Sequence, residues 1–300
     1  MKVGLVTYAP EEVEGFDLHV YYVKWADGSV FPGAKGMQND VTCFCDAKAI
    51  RDDPSLVAVS KNGLALRKNR RINVPFDFVC PTNPEYRAKV LDYVERLAKE
   101  EIQGVTLNLY HFPDEEFCIC PRCVELWRQS GLNWVEWRAK TVTEFLKEVR
   151  NRIGSKPLYV NMLPDPVLGK ERFGYDFDAL AEYADTFVIP MFSKAYPSPW
   201  YWEMLARAFK SKLKKPVFTN LYVRGPNDDP NQVPTVDQLL TVAVRIARTG
   251  VDGIIFLAEN AQRIRDFQKA AVQSKDVLAE LDGYGGEEVL KLVDSWRSLF

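Results

Sequence analysis

Eight apolar, β-rich runs recur along the 300-residue chain, and each run ends in polar or turn-forming residues. Their apolar content is nearly continuous and does not alternate with polar residues, which is typical of strands buried on both faces of a parallel sheet. The runs are 3–8, 20–25, 41–45, 104–112, 157–163, 186–192, 216–223 and 253–258. The sequence therefore predicts a parallel sheet covered by helices.

Helical patterns separate the later runs, at 84–100, 134–153, 177–183, 202–213, 235–249 and 261–281. Alternation of strand and helix predicts βαβ units, either closed into an eight-stranded barrel or left open as a doubly wound sheet. Chain length and strand number favour the barrel, so the predicted fold class is an α/β (β/α)8 TIM barrel. An open dinucleotide-binding sheet would need a G-x-G-x-x-G turn after its first strand, and the sequence has none there.

Three segments depart from this rhythm within what we predict to be one domain over residues 1–300. The N-terminal third is irregular, because only 11–18 separates the first two runs, and residues 47–79 predict an insertion over one end of the barrel. Lys61-Asn62-Gly63 predicts the turn of a small β-hairpin within that insertion. Residues 287–300 carry apolar side chains at helical spacing and predict a C-terminal helix packed on the barrel exterior.

The charge balance argues against two classes of partner. Lys and Arg number 39 against 41 Asp and Glu, so the chain has no basic field that would hold nucleic acid or an anionic membrane. The apolar runs are far shorter than the roughly 20 residues that cross a bilayer, and the N-terminus lacks a signal-peptide pattern. We therefore predict a cytoplasmic protein without nucleic-acid or membrane partners, and homo-oligomer formation stays open.

The six cysteines are too few for a disulfide scaffold and are clustered, at 43, 45, 80, 118, 120 and 123. Three of them occur in "FCICPRC" just after a predicted strand, and Cys80 can supply a fourth thiolate. This spacing predicts a tetrahedral zinc site, and four thiolates would make it structural because no coordination position remains for water. Reduced buried cysteines or disulfides are the alternatives. Cys43 and Cys45 predict core packing, with a second ligand pair as the alternative.

A family resemblance rests on residues 78–145. There "CPTNPEYR", a helix, a strand with Asn108 and "CICPRCVELWRQSGLNWVEW" follow one another. This order resembles the barrel domain of the zinc-containing β-galactosidases of glycoside hydrolase clan A, and that of related glycoside hydrolases of unassigned specificity. The resemblance implies a saccharide as substrate or ligand, and it implies four zinc ligands, Cys80, Cys118, Cys120 and Cys123.

The departures from that family concern its catalytic acids. An Asn-Glu pair ends the fourth strand of these β-galactosidases, and its glutamate is the general acid, whereas this chain has Asn108-Leu109. Their nucleophilic glutamate ends strand seven, where this chain reads "PVFTNLYVRG". The related hydrolases have an aspartate where this chain has Asn108, and an amide cannot ionise. Any catalytic pair therefore differs from that of clan A.

Glycoside hydrolysis usually requires two carboxyl groups, and barrel active sites lie at the C-terminal ends of the strands. The carboxylates that follow the predicted strands are Asp46, Asp114, Glu115, Glu116, Asp165 and Glu259. We predict a catalytic pair drawn from Asp114, Glu115 and Glu259, of which Glu259 is the most suggestive because it ends an otherwise apolar strand. The alternatives are an ion pair of Glu259 with Arg263 or Arg265, and solvated positions in the zinc loop.

Aromatic and polar side chains near the strand ends are candidates for saccharide binding, since sugar rings stack on aromatic faces and their hydroxyls need fixed polar partners. These candidates are Asn108, Tyr110, His111, Asn161, Tyr196, Trp200, Asn220 and Arg224. A hydrogen-bonded structural role for His111, and packing roles for the aromatic residues, are the alternatives.

These observations lead to three functional hypotheses. The first is a glycoside hydrolase acting on an unidentified saccharide, and the second is a catalytically inactive carbohydrate-binding protein of the same fold. The third, a metal-dependent hydrolase with a catalytic ion at the barrel mouth, is disfavoured because the chain has only two histidines.

Overall fold

The structure is a computed structural model that describes residues 1–69, 74–193 and 196–300. The strands within these residues are β1 Lys2–Thr7, β2 Leu18–Lys24, β3 Gln38–Thr42, β4 Val59–Ser60, β5 Gly63–Leu64, β6 Gly104–Asn108, β7 Leu158–Asn161, β8 Thr186–Met191, β9 Val217–Arg224 and β10 Gly253–Ala258. The helices are α1 Ala47–Asp52, α2 Pro84–Ala98, α3 Pro121–Ser130, α4 Trp134–Ile153, α5 Gly169–Phe173, α6 Phe177–Ala181, α7 Pro199–Lys212, α8 Val236–Ala247, α9 Ala261–Gln273, α10 Lys275–Leu281 and α11 Glu287–Trp296. None of these helices combines the length and apolar content that a membrane span requires.

Eight strands form a closed barrel in the order β1-β10-β9-β8-β7-β6-β3-β2. The pairing is parallel, and the first and last strands meet with Lys2 aligned to Gly253. Each of the eight predicted runs overlaps one barrel strand, so the predicted (β/α)8 fold class is confirmed. Within residues 1–69, β1 connects to β2 and β2 to β3 without an intervening helix, which explains the irregular rhythm of the N-terminal third.

Several helix boundaries differ from the sequence patterns, and α1 and α5 are absent from the predicted helices. The pattern over 261–281 is interrupted at Ser274, which has non-helical backbone angles and separates α9 from α10. The helix α3 has no counterpart among the predicted helices, although Pro121 at its start and Gly131 at its end, with φ +68°, are typical helix boundaries. The buried residue of α3 is Cys123, so the sequence of this helix lacks the regular spacing of apolar residues that predicts a buried helical face.

The chain divides into two compact units. The first comprises Met1–Tyr22, Met162–Pro166 and Thr186–Phe300, and the second comprises Val23–Asn161 and Val167–Asp185. In the first unit, Phe256 of β10 packs against Phe267 of α9 and Trp296 of α11, with ring centroids 5.2 and 6.4 Å away. The Trp296 indole N–H also donates to the Gly15 carbonyl at 3.1 Å. The C-terminal helix therefore covers the outer face of β10.

In the second unit, α2 and α4 pack side by side outside the strands. Phe145 of α4 stacks on Phe44, which follows β3, with ring centroids 4.7 Å apart. Arg87 of α2 makes two hydrogen bonds of 3.0 Å to the Glu148 carboxylate of α4. These contacts fix the outer layer behind the strand ends that carry the cysteine-rich loop.

Candidate functional site

Four cysteine side chains converge beside the end of β6. The Sγ atoms of Cys80, Cys118, Cys120 and Cys123 all lie within 4.8 Å of one another. Sγ of Cys80 is 3.8 Å from that of Cys120 and 3.4 Å from that of Cys123. Four sulfurs around one zinc ion, each about 2.3 Å from it, are roughly 3.8 Å apart. All four cysteines are free thiols, so the cluster has the donor set and spacing of a tetrahedral metal site.

Local structure brings these ligands together. Cys120 is the residue before Pro121, which begins α3, so Cys123 lies in the first helical turn. The Thr82 hydroxyl lies 3.2 Å from Sγ of Cys80 and 3.1 Å from Sγ of Cys123. Hydrogen bonds from the thiols of Cys118, Cys123 and Cys80 lower the pKa of Cys120. Metals bind thiolates, and the N-terminus of α3 favours the thiolate form of the cysteines beside it.

Part of the insertion is hydrogen-bonded to chain segments next to this cluster, and we name these residues together the cysteine collar (residues 44–46, 56–65, 78–80 and 118–119). Backbone hydrogen bonds of 2.8 Å run from Val79 N to the Phe44 carbonyl and from Ala58 N to the Phe78 carbonyl. A further bond of the same length joins Ile119 N to the Val59 carbonyl. The predicted hairpin is present as β4 and β5, and it forms part of the collar. Residues 70–73 of the insertion lie outside the described residues.

Tyr110 and His111, two predicted saccharide-binding residues, are buried. Tyr110 is 0% and His111 1% exposed, and the His111 ring lies among Phe78, Tyr110, Phe173 and Tyr175. Burial lowers the pKa of His111 to about 4, and its Nδ1 lies 2.6 Å from the Phe112 carbonyl. A neutral, enclosed imidazole cannot reach a sugar in this structure. The structural alternative is therefore the one that the geometry supports for His111, and the same burial argues against sugar contact by Tyr110.

The two acids predicted as partners of Glu259 differ in their surroundings. The Asp114 carboxylate pairs with Arg172 at 3.0 Å, and its backbone carbonyl accepts a hydrogen bond of 2.6 Å from Arg138. Arg138 is fully buried, stacks on Phe112 and also donates to the Arg172 carbonyl at 2.5 Å. Asp114 therefore helps to anchor the loop that carries the cysteines, whereas Glu115 is exposed.

An aspartate that the strand pattern does not reveal lies inside the barrel. Asp40 of β3 accepts a 2.9 Å hydrogen bond from the Asn161 amide of β7, and β6 lies between these strands, so the bond crosses the concave inner face. Burial raises the pKa of Asp40 well above its usual range, and the hydrogen bond from Asn161 offsets only part of that effect. Asn161 is thus held by a buried carboxyl group. The apolar run begins at Val41, so the pattern alone leaves Asp40 outside the strand.

Asp46, another strand-end carboxylate, has a structural position. Its Oδ1 accepts from Ala49 N at 2.8 Å and caps α1, as the sequence allows. Its Oδ2 lies 2.9 Å from the Tyr86 hydroxyl and 3.4 Å from the Lys24 ammonium. Nearby, Cys43 and Cys45 are fully buried, and burial raises the pKa of both thiols. Both cysteines therefore pack in the core as neutral thiols.

In the first unit, Glu259 follows directly after β10. Its carboxylate is partly exposed, with Oε2 3.8 Å from Nε of Arg263, so the helix-entry ion pair is present at long range. The Glu259 carbonyl accepts a 3.4 Å hydrogen bond from Tyr8 N, which follows β1. Glu259 thus stands at the C-terminal end of its strand, beside the end of the neighbouring strand.

The end of β9 carries a tyrosine and an aspartate that sequence reasoning missed. The Tyr222 hydroxyl makes a short hydrogen bond to Oδ2 of Asp228, and Gly225 N donates to the same oxygen at 2.9 Å. The predicted binding residue Arg224 donates to the Asp228 carbonyl at 3.1 Å. Asn220 is 5% exposed, and within the described residues its Oδ1 has no hydrogen-bond partner.

Aromatic rings gather at the ends of the strands of the first unit. Tyr8 and Tyr22 have ring centroids 5.0 Å apart, and Phe192 lies 5.5 Å from Tyr222. Phe192 is 44% and Trp200 61% exposed. Tyr196, in contrast, is buried, and its hydroxyl donates to the Met191 carbonyl at 2.6 Å, so its position supports packing. Sequence reasoning missed Tyr8, Phe192 and Tyr222, and their signal is the position of an aromatic residue at the end of a run.

Comparison with known proteins places this fold. No protein family model matches the sequence, and no curated protein is detectably related to it. The α-L-fucosidase isoenzyme 2 of Paenibacillus thiaminolyticus is similar over 94% of this chain and 50% of its own, with a TM-score of 0.61 and 13% identity. The β-galactosidase of the psychrophilic Marinomonas ef1 is similar over 96% of this chain and 61% of its own, with a TM-score of 0.61 and 11% identity. The fold is a glycoside hydrolase-like barrel.

The similarity extends to the β-galactosidase of Bacillus circulans sp. alkalophilus, over 85% of this chain and 50% of that enzyme, with a TM-score of 0.57 and 12% identity. This chain therefore spans between 50% and 61% of the length of these enzymes. In this glycoside hydrolase-like barrel, the amide Asn108 ends β6, and Leu109 follows with φ +49°. The strand-end carboxylate of β10 is Glu259.

Proposed function

We propose that the protein is a glycoside hydrolase with Glu259 as a catalytic carboxylate and a saccharide as substrate. The observation that carries this proposal is the position of Glu259 at the C-terminal end of β10, with Tyr8 and Tyr222 at the ends of the flanking strands. Active sites of such barrels lie at this end of the strands. Sugar rings present apolar C–H faces that stack on aromatic side chains.

The remaining predicted binding residues have positions that suit hydroxyl recognition to different degrees. Arg224 is partly exposed at the end of β9, and Trp200 is an exposed platform at the start of α7. Asn220 lies deeper, with a buried carbonyl oxygen. In the second unit Asn108 is partly exposed, whereas Asn161 is held by Asp40. We propose Arg224 and Trp200 as the primary saccharide contacts of the first unit.

We propose zinc as the occupant of the four-cysteine site. Four soft sulfur donors suit zinc, and a closed thiolate set gives a structural rather than a catalytic ion. When bound, zinc would cross-link Cys80, Cys118, Cys120 and Cys123. All six cysteines are free thiols, and this supports a reducing compartment such as the cytoplasm.

A second function is favoured by one specific observation. Asn108 ends β6 where the resemblance implies an acid, and Leu109 after it is apolar and buried. An amide binds sugar hydroxyls but does not transfer protons. A carbohydrate-binding protein without catalysis is therefore the second candidate.

A panel of 4-nitrophenyl glycosides tests the first function. We expect turnover of at least one glycoside, and Glu259→Gln should lower kcat by about 100- to 10,000-fold because the variant loses an ionisable group. Glu280→Gln, at an exposed carboxylate on α10, is the matched control. Saccharide binding by calorimetry without turnover supports the second candidate. If the protein shows no turnover and no saccharide binding, both proposed functions are contradicted.

A further inference from the structure

The seventh barrel strand, β9, ends at Arg224 without a carboxylate, but the following loop returns one to the end of that strand. Oδ2 of Asp228 accepts hydrogen bonds from the Tyr222 hydroxyl and from Gly225 N. Tyr222 and Gly225 flank the strand end, so the aspartate lies against β9 itself. The strand itself contains no carboxylate, and the loop that follows it supplies one.

The backbone of the loop after β9 has two features that fit this position of the Asp228 side chain. A Cβ on Gly225 would collide with the Tyr222 hydroxyl oxygen and would lie 3.3 Å from Oδ2 of Asp228. Asn227 has φ +60°, a left-handed conformation that asparagine tolerates better than most residues, and it reverses the chain before Asp228. Arg224 Nη2 donates to the Asp228 carbonyl at 3.1 Å. Together these features hold the Asp228 side chain over the end of β9.

Strand register relates this carboxylate to Glu259. Tyr222 aligns with Leu257 of β10, and Arg224 aligns with Ala258. The register shifts between Leu257 and Ala258, and Glu259 follows directly after β10. Asp228 and Glu259 therefore stand at the ends of two neighbouring strands of the first unit.

We infer that Asp228 is the catalytic partner of Glu259, an inference that rests on the proposed hydrolase function. The Tyr222 hydroxyl and Gly225 N hold the Asp228 carboxylate in place. In the proposed pair Glu259 is the proton donor, and Asp228 is the nucleophile or the base. Burial and the hydrogen bond to Asp228 also raise the pKa of Tyr222, so the phenol remains a hydrogen-bond donor at neutral pH.

The reaction balances with these two groups. The proton of Glu259 passes to the leaving oxygen as its bond to the anomeric carbon breaks. That carbon then bonds either to Asp228, from which water displaces it and returns a proton to Glu259, or to the oxygen of a water molecule whose proton Asp228 accepts. Asp114 is a weaker candidate for this role because its carboxylate is engaged by Arg172.

Kinetics of full-length variants on the 4-nitrophenyl glycoside that wild type hydrolyses test the inference. Asp228→Asn should lower kcat by about 100- to 10,000-fold with little change in KM. Asp229→Asn, the exposed neighbour, should stay within about twofold of wild type, since it removes a charge outside the catalytic pair. In Asp228→Ala, sodium azide should restore part of the lost turnover, which a merely structural role does not predict.

The same variants separate the possible failures. Turnover by Asp228→Asn at the wild-type rate, with loss in Glu115→Gln or Asp114→Asn, overturns the inference and leaves the hydrolase function standing. Absence of wild-type turnover on the whole panel overturns both. Thermal unfolding of each variant identifies losses that come from misfolding, and azide rescue of Asp228→Ala then decides the outcome.

Discussion

The backbone N–H of Val59 donates a hydrogen bond to Sγ of Cys118 at a distance of 3.2 Å. On the other side of the same segment, Cys80 N donates to the Leu56 carbonyl at 2.8 Å. The segment from Leu56 to Val59 therefore runs between two of the four clustered cysteines. A metal ion bound by Cys80 and Cys118 would connect the two flanking strands of the cysteine collar.

Metal removal should loosen the hairpin of β4 and β5. After treatment with a chelator, we expect faster hydrogen exchange at Val59 N and faster tryptic cleavage at Lys61, because the cross-link between the flanking strands is lost. Mass spectrometry of exchange and digestion measures both. Cleavage at Lys275, an exposed site on α10, serves as the reference. Equal rates at Lys61 with and without metal would contradict this coupling.

Loss of one ligand should release the metal and lower stability. Cys120→Ser replaces the least buried of the four ligands, so the substitution perturbs packing little while it removes a thiolate. We expect the zinc content, measured by mass spectrometry, to fall from about one per chain towards zero. The free energy of unfolding should fall by about 3 kcal/mol or more. The control variant Cys43→Ala should keep its zinc. Wild-type protein that is equally stable with and without metal would contradict the proposed structural site.

The buried carboxyl of Asp40 should make stability decline as pH rises. The folded-state pKa of Asp40 is raised above the unfolded value. The folded protein therefore binds this proton more tightly, and the stabilisation is complete below the unfolded pKa and decreases as pH approaches the folded one. Asp40→Asn keeps an acceptor for Asn161 and removes the titration. In urea unfolding between pH 5 and 9, the variant should gain stability relative to wild type as pH rises, and a constant difference would disprove the assignment.

His111 should act in the opposite sense at acid pH. Burial lowers its pKa to about 4, below the value of about 6.5 in an unfolded chain. The unfolded state binds the proton more tightly, so stability falls as pH decreases from about 6.5 to about 4, by on the order of 3 kcal/mol. His111→Asn retains a donor for the Phe112 carbonyl and should flatten this part of the profile. An unchanged slope in the variant would show that other groups cause the acid sensitivity.

The sequence predicts the barrel well because buried parallel strands leave a continuous apolar signal. Helix α4 spans 134–153 in both prediction and structure, since it has a regular apolar face and clear ends. The predicted run over 104–112 extends beyond β6 because apolar residues continue past Asn108, whereas the backbone turns at Leu109 with φ +49°. The apolar composition of the run does not reveal this change in the backbone dihedral angle of Leu109.

The candidate sites were predictable to different degrees. The cysteine cluster could be predicted because three of its cysteines are close together in the sequence. The fourth, Cys80, lies just before a predicted helix next to the strand that precedes the other three. The position of Asp228 depends on a loop reversal at Asn227 and on a hydrogen bond to Tyr222, which only the folded chain reveals. His111 lies at a strand end in the sequence, but its burial depends on Phe173 and Tyr175, which are distant along the chain.

Closure of the barrel aligns Lys2 of β1 with Gly253 of β10. During synthesis on the ribosome, one edge of β1 stays without its native neighbour until β10 has emerged. Contacts between residues so far apart form slowly, and exposed strand edges invite association with other nascent chains. Productive folding of this protein in the cell should therefore depend on chaperones that shield the first strand until the last one arrives.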